Sequence, residues 1–255
     1  MGIYHIDEWL GDIRVATALL TRIPMSHPTG AVPDNLTRAQ RVFPLVGAAI
    51  GAAIGVVFLA LISVGIPPLA AAALALAASA LLTGALHEDG LGDVGDGFGG
   101  GRDRAAKLAI MRDSRLGTYG ALAVLVAFVV KAAALEALAG RAVVPTMVAA
   151  HTLGRAAIPM LALAMPLARS DGLGKAAGQP EPADVAIALA LASAITFACL
   201  PLASALGAIM IAGLGGAAMA VIAWRQIGGV TGDVYGAAEQ VIEVCVLLLM
   251  AARTT

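Results

Sequence analysis

The sequence predicts an all-α fold: a polytopic bundle of about seven transmembrane helices behind an amphipathic N-terminal helix. Three observations lead there. Of 255 residues, 60% are hydrophobic and 13% charged, against roughly 25% charged in a soluble domain, so this surface is not an ordinary aqueous one. Two long stretches, Val42 to Leu86 and Val185 to Trp224, contain no Asp, Glu, Lys or Arg. One membrane crossing takes about 20 apolar residues, so each stretch holds two. Glycine and alanine are abundant and aromatic residues are only 4%, which suits helices that pack closely in lipid.

The elements follow in chain order. Over residues 5–21, Ile6, Trp9, Leu10, Ile13, Ala16 and Leu20 share one helical face, with Asp7, Glu8 and Arg14 elsewhere. That is the pattern of an interfacial helix, ended by Pro24 and Pro28, and whether it crosses the membrane stays open. Asp7, Glu8 and Asp12 do not suit a cleavable signal peptide. The first uncharged stretch turns near Gly65–Pro68, and a polar loop runs from His87 to about Leu116. Gly117 to Leu138 is a third span, with Lys131 and Glu136 towards its far end, and Val143 to Met165 a fourth, interrupted by His151 and Arg155. A loop with Arg169, Asp171, Lys175 and Pro180 precedes the second uncharged stretch, which turns near Pro201–Ser204. A Gly-rich loop, Arg225 to Gly236, leads into a seventh span, Val234 to Ala252. Residues 1–255 thus read as a single integral membrane domain. Its segments outside the apolar bulk are 1–41 at the N-terminus, 87–116 as the loop that carries the chemistry, and 225–243 as a third motif.

Charge orients the bundle. Arg14, Arg22, Arg38 and Arg41, then Arg102, Arg104, Lys107, Arg112 and Arg115, then Arg155, Arg169 and Lys175, then Arg225 fall on or near one side, against Arg141 and Arg253 on the other. The positive-inside rule puts the first side in the cytoplasm. A net charge of −1 gives no basic field for nucleic acid. Cys199 and Cys245 lie in apolar runs and read as small core residues. The lipid bilayer is an expected partner, and a homo-oligomer is compatible with the sequence, which does not fix the state.

The polar segments carry the candidate chemistry. Asp89, Asp93 and Asp96 stand at i, i+4 and i+7 in His87-Glu88-Asp89-Gly90-Leu91-Gly92-Asp93-Val94-Gly95-Asp96-Gly97. On a helix they share a face. Three such carboxylates repel unless a divalent cation with a taste for oxygen, such as Mg²⁺, lies among them. The alternative is a solvated acidic loop, which the adjoining apolar spans argue against. An EF-hand is disfavoured by the spacing. Next come Arg102, Arg104, Lys107, Arg112, Asp113 and Arg115. Arginine matches phosphate oxygens, so an acidic metal site beside a basic strip suits a diphosphate, although lipid headgroups would also attract it. His151 and Arg155 are one helical turn apart inside a span. They are either functional or an internal ion pair, with Glu136 or a loop Asp as partner. Finally Gly228-Gly229-Val230-Thr231-Gly232-Asp233 resembles a phosphate-cradling turn entering a helix. Glu239 and Glu243 follow at i, i+4 on an apolar helix, and should look into the bundle and either complete the metal site or hold its Arg and His neighbours.

Together these pieces resemble the cobalamin synthase family, the adenosylcobinamide-GDP ribazoletransferases. The resemblance rests on Thr83-Gly84-Ala85-Leu86-His87-Glu88-Asp89-Gly90-Leu91-Gly92-Asp93 with Asp96-Gly97, on Ile110-Met111-Arg112-Asp113-Ser114-Arg115-Leu116-Gly117, on Gly228-Gly229-Val230-Thr231-Gly232-Asp233 and on Phe43-Pro44-Leu45-Val46-Gly47. It runs over nearly the whole chain, with Gly92 standing where alanine is more usual. It implies a bacterial inner-membrane enzyme, active on the cytoplasmic face. Such an enzyme joins adenosylcobinamide-GDP to α-ribazole or its 5′-phosphate, releasing GMP. It further implies Mg²⁺ held by Asp89, Asp93 and Asp96, with Glu239 and Glu243 as further ligands. Arg102, Arg112 and Arg115 would lie on the leaving nucleotide, with His151, Arg155 and Asp233 in support. A carboxylate of the cluster, or Asp113, would accept the hydroxyl proton. Two other readings compete. A CDP-alcohol phosphotransferase of lipid synthesis lacks support because its Asp-Gly-x-x-Ala-Arg pattern is missing. A cation-coupled transporter would use Glu239, Glu243, His151 and Arg155, yet the densest acidic cluster lies at the interface.

Overall fold

A computed structural model describes residues 6–25, 36–138 and 142–253. Pro28, Arg141 and Thr255 lie outside the described residues. The helices are α1 Ile6–Leu20, α2 Leu36–Ala39, a 3₁₀ turn Gln40–Val42 and α3 Phe43–Ser63, then α4 Pro68–Thr83, α5 Leu86–Gly100 and α6 Arg104–Ile110. They continue as α7 Thr118–Ala137, α8 Val143–Ala164, α9 Gly172–Ala177, α10 Pro182–Cys199, α11 Leu202–Ile227 and α12 Gly232–Ala252. Among the described residues there is no strand, only an isolated bridge between Leu167 and Val230.

Among the described residues, six helices are long and apolar enough to cross a membrane: α3 with its α2 lead-in, α7, α8, α10, α11 and α12. The seventh, α4, is 16 residues long and qualifies only together with α5, from which it bends by 94°. The chain is a multi-pass membrane protein, and its turns fall where proline and glycine place them. Gly65, with φ +88°, and Pro67 separate α3 from α4, and Pro201 separates α10 from α11.

Burial sorts the spans. The apolar windows of α8 and α12 are 83% and 72% buried, against 28–39% for the other spans, so α8 and α12 form the centre and the rest turn Leu, Val and Ile side chains outward. Small residues let α3 close on α8. A Cβ at Gly47, Gly51 or Gly55 would come within 2.4, 2.3 and 2.9 Å of the α8 backbone. That one-turn spacing of small residues is how helices associate in lipid, where dispersion replaces the hydrophobic effect.

Two expectations need correction. The segment 87–116 is not a loop: α5 and α6 occupy most of it. Each glycine costs a helix interior about 1 kcal/mol, and α5 is glycine-rich. It is helical because it packs along α12 and α7, where small residues allow close approach. The packed face of α1 is also offset. Ile6 and Leu10 are exposed, while Asp12, Val15, Ala16 and Leu20 are buried. Asp12 fixes that face. It meets Arg41 at 2.6 Å and Arg38 at 3.0 Å, and the Arg41 guanidinium lies 4.4 Å over the Trp9 ring. At 15 residues, α1 is short of a full crossing.

Candidate active site

The bend after α4 sets the site. Gly84 and Ala85 both take positive φ, +71° and +55°, which turns the chain abruptly and lays α5 along the first turns of α7 and against the start of α12. Asp89 and Asp93, one turn apart on α5, then face the start of α12. Contact there is close: a Cβ at Gly90 would lie 2.8 Å from the Asp233 carbonyl oxygen. The structure therefore brings the first and third motifs together. Asp89 is exposed and Asp93 and Asp233 are half-buried. Burial first, and then the carboxylates of Asp233 and Asp89, push the Asp93 carboxyl up to about 7. Arg169 stands beside them, its Nη2 3.4 Å from Asp233 Oδ2. One guanidinium among three carboxylates leaves an excess of negative charge and of hard oxygen donors. That donor chemistry suits Mg²⁺, while the convergence of ligand atoms to within 4.8 Å of one another is found at His151, Glu239 and Glu243 and not at these three.

Asp96 has a different task. Its carboxylate accepts the backbone N–H of Gly117 at 2.6 Å and that of Gly120 at 2.8 Å. It caps the N-terminus of α7, where unpaired N–H groups and the helix dipole favour an anion. Each of its oxygens thus accepts a backbone N–H of the α7 start.

Beside the pair, a cleft of about 470 Å³ is lined by Glu88, Asp89, Asp93, Arg112, Asp113 and Arg115. Arg112 Nη2 donates to both carboxylate oxygens of Asp171, at 2.7 and 2.9 Å, with both side chains about half exposed. Arg115 is bidentate to Asp113 and 87% exposed. Hydrogen bonds from Arg115 hold the Asp113 carboxyl down to about 2, and Arg112 likewise lowers Asp171. Arg102 is exposed in the turn after α5. Arg104 and Lys107, counted with the basic strip in the sequence, are structural. Arg104 donates to the carbonyls of Ile227 and Ala168 at 2.7 Å each, and Lys107 donates to Gln226.

The glycines of the third motif serve packing. Gly228 closes α11 with φ +70°, and Gly229 lies where a Cβ would sit 2.3 Å from the Pro166 carbonyl oxygen. Val230 pairs with the Pro166–Ala168 segment through two backbone hydrogen bonds. Thr231 caps α12, accepting from Val234 N–H, and its hydroxyl donates to Asp233 at 3.1 Å.

Glu239 and Glu243 form a second cluster, buried between α5, α7, α8 and α12. Arg155 Nη1 donates to both glutamates, at 2.7 Å to Glu243. Lys131 reaches Glu243 at 3.2 Å and Gln240 at 2.7 Å. His151 Nδ1 is 2.5 Å from Glu243, and His87 Nδ1 is 3.5 Å from Glu239. Arg155 and Lys131 are the cations of the network, and Glu88 on α5 adds a third carboxylate near both of them. His151, Glu239 and Glu243 could by spacing alone share an ion, but the Arg155 guanidinium already lies among them. The partner of His151 and Arg155 is thus not Glu136, which is exposed, nor a loop Asp. Arg155 also leaves the positive-inside count, whose bias stands without it.

His87, Lys131 and Arg169 join these clusters although no motif assignment singled them out. For Lys131 the signal was present: an ionisable residue inside an apolar span is costly and seeks a partner. Arg169 had no such signal, because its place depends on the pairing of Val230 with the Leu167 segment.

Comparison with known proteins agrees with this geometry. The cobalamin-5-phosphate synthase family profile matches residues 12–251. An adenosylcobinamide-GDP ribazoletransferase of Bradyrhizobium diazoefficiens is 42% identical over 98% of this chain and 97% of its own length. Those of a Sinorhizobium species, 41% identical over 96% and 98%, and of Azorhizobium caulinodans, 42% over 94% of each, are comparable. No solved structure matches. By the extent of these matches and the order of its motifs, the chain belongs to the cobalamin-5-phosphate synthase family.

Proposed function

We propose that this chain is an adenosylcobinamide-GDP ribazoletransferase. A ribose hydroxyl oxygen of α-ribazole, or of its 5′-phosphate, attacks the phosphorus nearer the cobinamide. The bond from that phosphorus to the bridging oxygen breaks, and GMP leaves with that oxygen. The product is adenosylcobalamin or its 5′-phosphate. The observation that carries the reading is the uncompensated Asp89, Asp93 and Asp233 cluster beside an arginine-lined cleft, in a chain of this family.

The residues divide the work. Asp89, Asp93 and Asp233 would hold Mg²⁺, which when bound supplies positive charge to the diphosphate. Arg112 and Arg115, both exposed, would exchange their Asp171 and Asp113 partners for phosphate oxygens, where a guanidinium binds bidentately. While Arg115 is paired to it, Asp113 is held at about 2, far from the operating pH at which a base works best. Once Arg115 turns to phosphate that hold is released, so the hydroxyl proton goes to a carboxylate of the cluster or to Asp113. Asp96 acts through α7, and Glu239 with Glu243 through α5 and α8. The charge bias of the connecting segments supports a cytoplasmic active site in a bacterial inner membrane.

The test is direct. Purified protein in detergent, supplied with adenosylcobinamide-GDP, α-ribazole and Mg²⁺, should release GMP in step with corrinoid product. Absence of GMP release under those conditions, with folded protein, would overturn the reading.

A further inference from the structure

Asp89 lines a second cavity besides the charged cleft, of about 90 Å³. Its walls come from six elements: Leu20 of α1, Phe43 of α3, His87 of α5, Ile158 of α8, Leu173 and Ala177 of α9, and Tyr235 of α12. Asp89 and Asp233 supply the carboxylates of its lining. The chamber is thus apolar on most sides and acidic on one. Among the described residues no arginine or lysine lines it, and besides the two carboxylates its polar side chains are His87 and Tyr235, so it offers a phosphate no guanidinium, whereas the neighbouring cleft offers two. What fits is an uncharged, flat, apolar group joined to a hydroxyl-bearing one, with the hydroxyls at the carboxylates.

The transferase reading, on which this inference rests, needs two organic substrates to meet. One carries the diphosphate and suits the arginine-lined cleft. The other is a nucleoside whose base is an apolar fused bicycle. We propose that the chamber walled by α1, α3, α8 and α9 seats the dimethylbenzimidazole base of α-ribazole, and that Asp89 and Asp233 receive its ribose hydroxyls. Size agrees. A water needs roughly 10–15 Å³ of such space, so the chamber has room for several waters, the scale of one fused ring system without its sugar. Placement agrees as well. The chamber and the cleft share Asp89, so a nucleoside in one and a diphosphate in the other meet at that carboxylate. Asp233 is already oriented by the Thr231 hydroxyl at 3.1 Å.

The test uses the full chain in detergent and two variants that narrow the chamber. Ala177→Phe fills it from the buried side. Leu173→Trp acts from α9, where Leu173 is 53% exposed, so the variant is tolerated by the fold. Two readouts are taken: binding of α-ribazole alone, followed by its intrinsic benzimidazole fluorescence, and KM for each substrate. In both variants α-ribazole binding should weaken about tenfold or more, since an apolar pocket discriminates about 10- to 200-fold per methylene-sized change. KM for adenosylcobinamide-GDP should stay within about twofold. Unchanged α-ribazole binding in Leu173→Trp, or equal rises in both KM values, would overturn the chamber while GMP release by the wild type leaves the transferase reading intact. Wild-type protein that neither binds α-ribazole nor releases GMP would sink both.

Discussion

Asp233 and Glu239 stand on the same helix, less than two turns apart, and meet opposite surroundings. Asp233 joins Asp89 and Asp93, where the neighbouring carboxylates and burial push Asp93 up to about 7 and Arg169 is the cation at hand. Glu239 joins Glu243 in a network where both are paired directly with cations of the protein, Arg155 and Lys131. A buried charge is tolerable when its partner comes from the protein. A cluster left with surplus charge at an opening is arranged for a partner that comes from outside. The difference between these two regions separates the part of the molecule that binds from the part that holds it in position.

The largest contrast lies in activity. Asp89→Ala and Asp93→Ala should each cut GMP release by about a hundredfold or more, since both charge neutralisation and substrate alignment are lost. Their thermal unfolding in detergent should match the wild type. Wild-type turnover in both variants would return the cluster to a solvated acidic surface.

The second contrast is the mirror image. Glu243→Ala leaves Arg155 and Lys131 buried without their shared partner, which costs about 3–5 kcal/mol. Thermal unfolding should show that loss as a clear fall in melting temperature. An unchanged melting temperature would mean that water reaches the network and that it does not position the helices. Asp96→Ala should fall between the two regions. It removes the cap of α7, worth about 0.5–2 kcal/mol, so melting temperature drops modestly.

A third effect depends on pH. The Asp93 carboxyl titrates near 7 without a cation, and a protonated carboxyl is a poor ligand, so Mg²⁺ binding must displace that proton. Apparent Mg²⁺ affinity should therefore weaken as pH falls through about 7 and level off above it. For stability the sign is the reverse of the usual Asp case. The folded pKa is raised, so Asp93 destabilises the cation-free protein as pH rises from its unfolded value through 7, and Asp93→Asn should remove that dependence. Flat Mg²⁺ affinity between pH 6 and 8 would contradict the assignment. The smallest effect belongs to the exposed pair: Arg115→Ala should leave the melting temperature unchanged, because a solvated surface ion pair contributes little, whatever it does to substrate binding.

Legibility in the sequence divides along the same line. The spans were readable because apolar length and charge are local properties, and the turns at Gly65–Pro68 and Pro201 carry their own signals. The pairing of Asp89 and Asp93 on one face followed from i, i+4 spacing. The inward face of Glu239 and Glu243 followed from the cost of charge in lipid. What depended on tertiary contact was not readable. Asp96 looks like a third ligand by spacing and is a helix cap because α7 starts beside it. The helix of α5 hides behind its glycines. Asp12 looked like an obstacle to a signal peptide and is the buried anchor of Arg41 and Arg38.

The most direct measurement of the central claim is GMP release titrated with Mg²⁺ in chelator-stripped wild type, Asp93→Asn and Glu239→Gln, all in detergent at pH 8. The account predicts that Asp93→Asn abolishes turnover or shifts the Mg²⁺ requirement upward by about tenfold or more. Glu239→Gln, once shown to be folded, should keep the wild-type Mg²⁺ requirement even if its rate falls. A Mg²⁺ requirement that moves in Glu239→Gln and stays fixed in Asp93→Asn would contradict it, and would place the cation in the buried network.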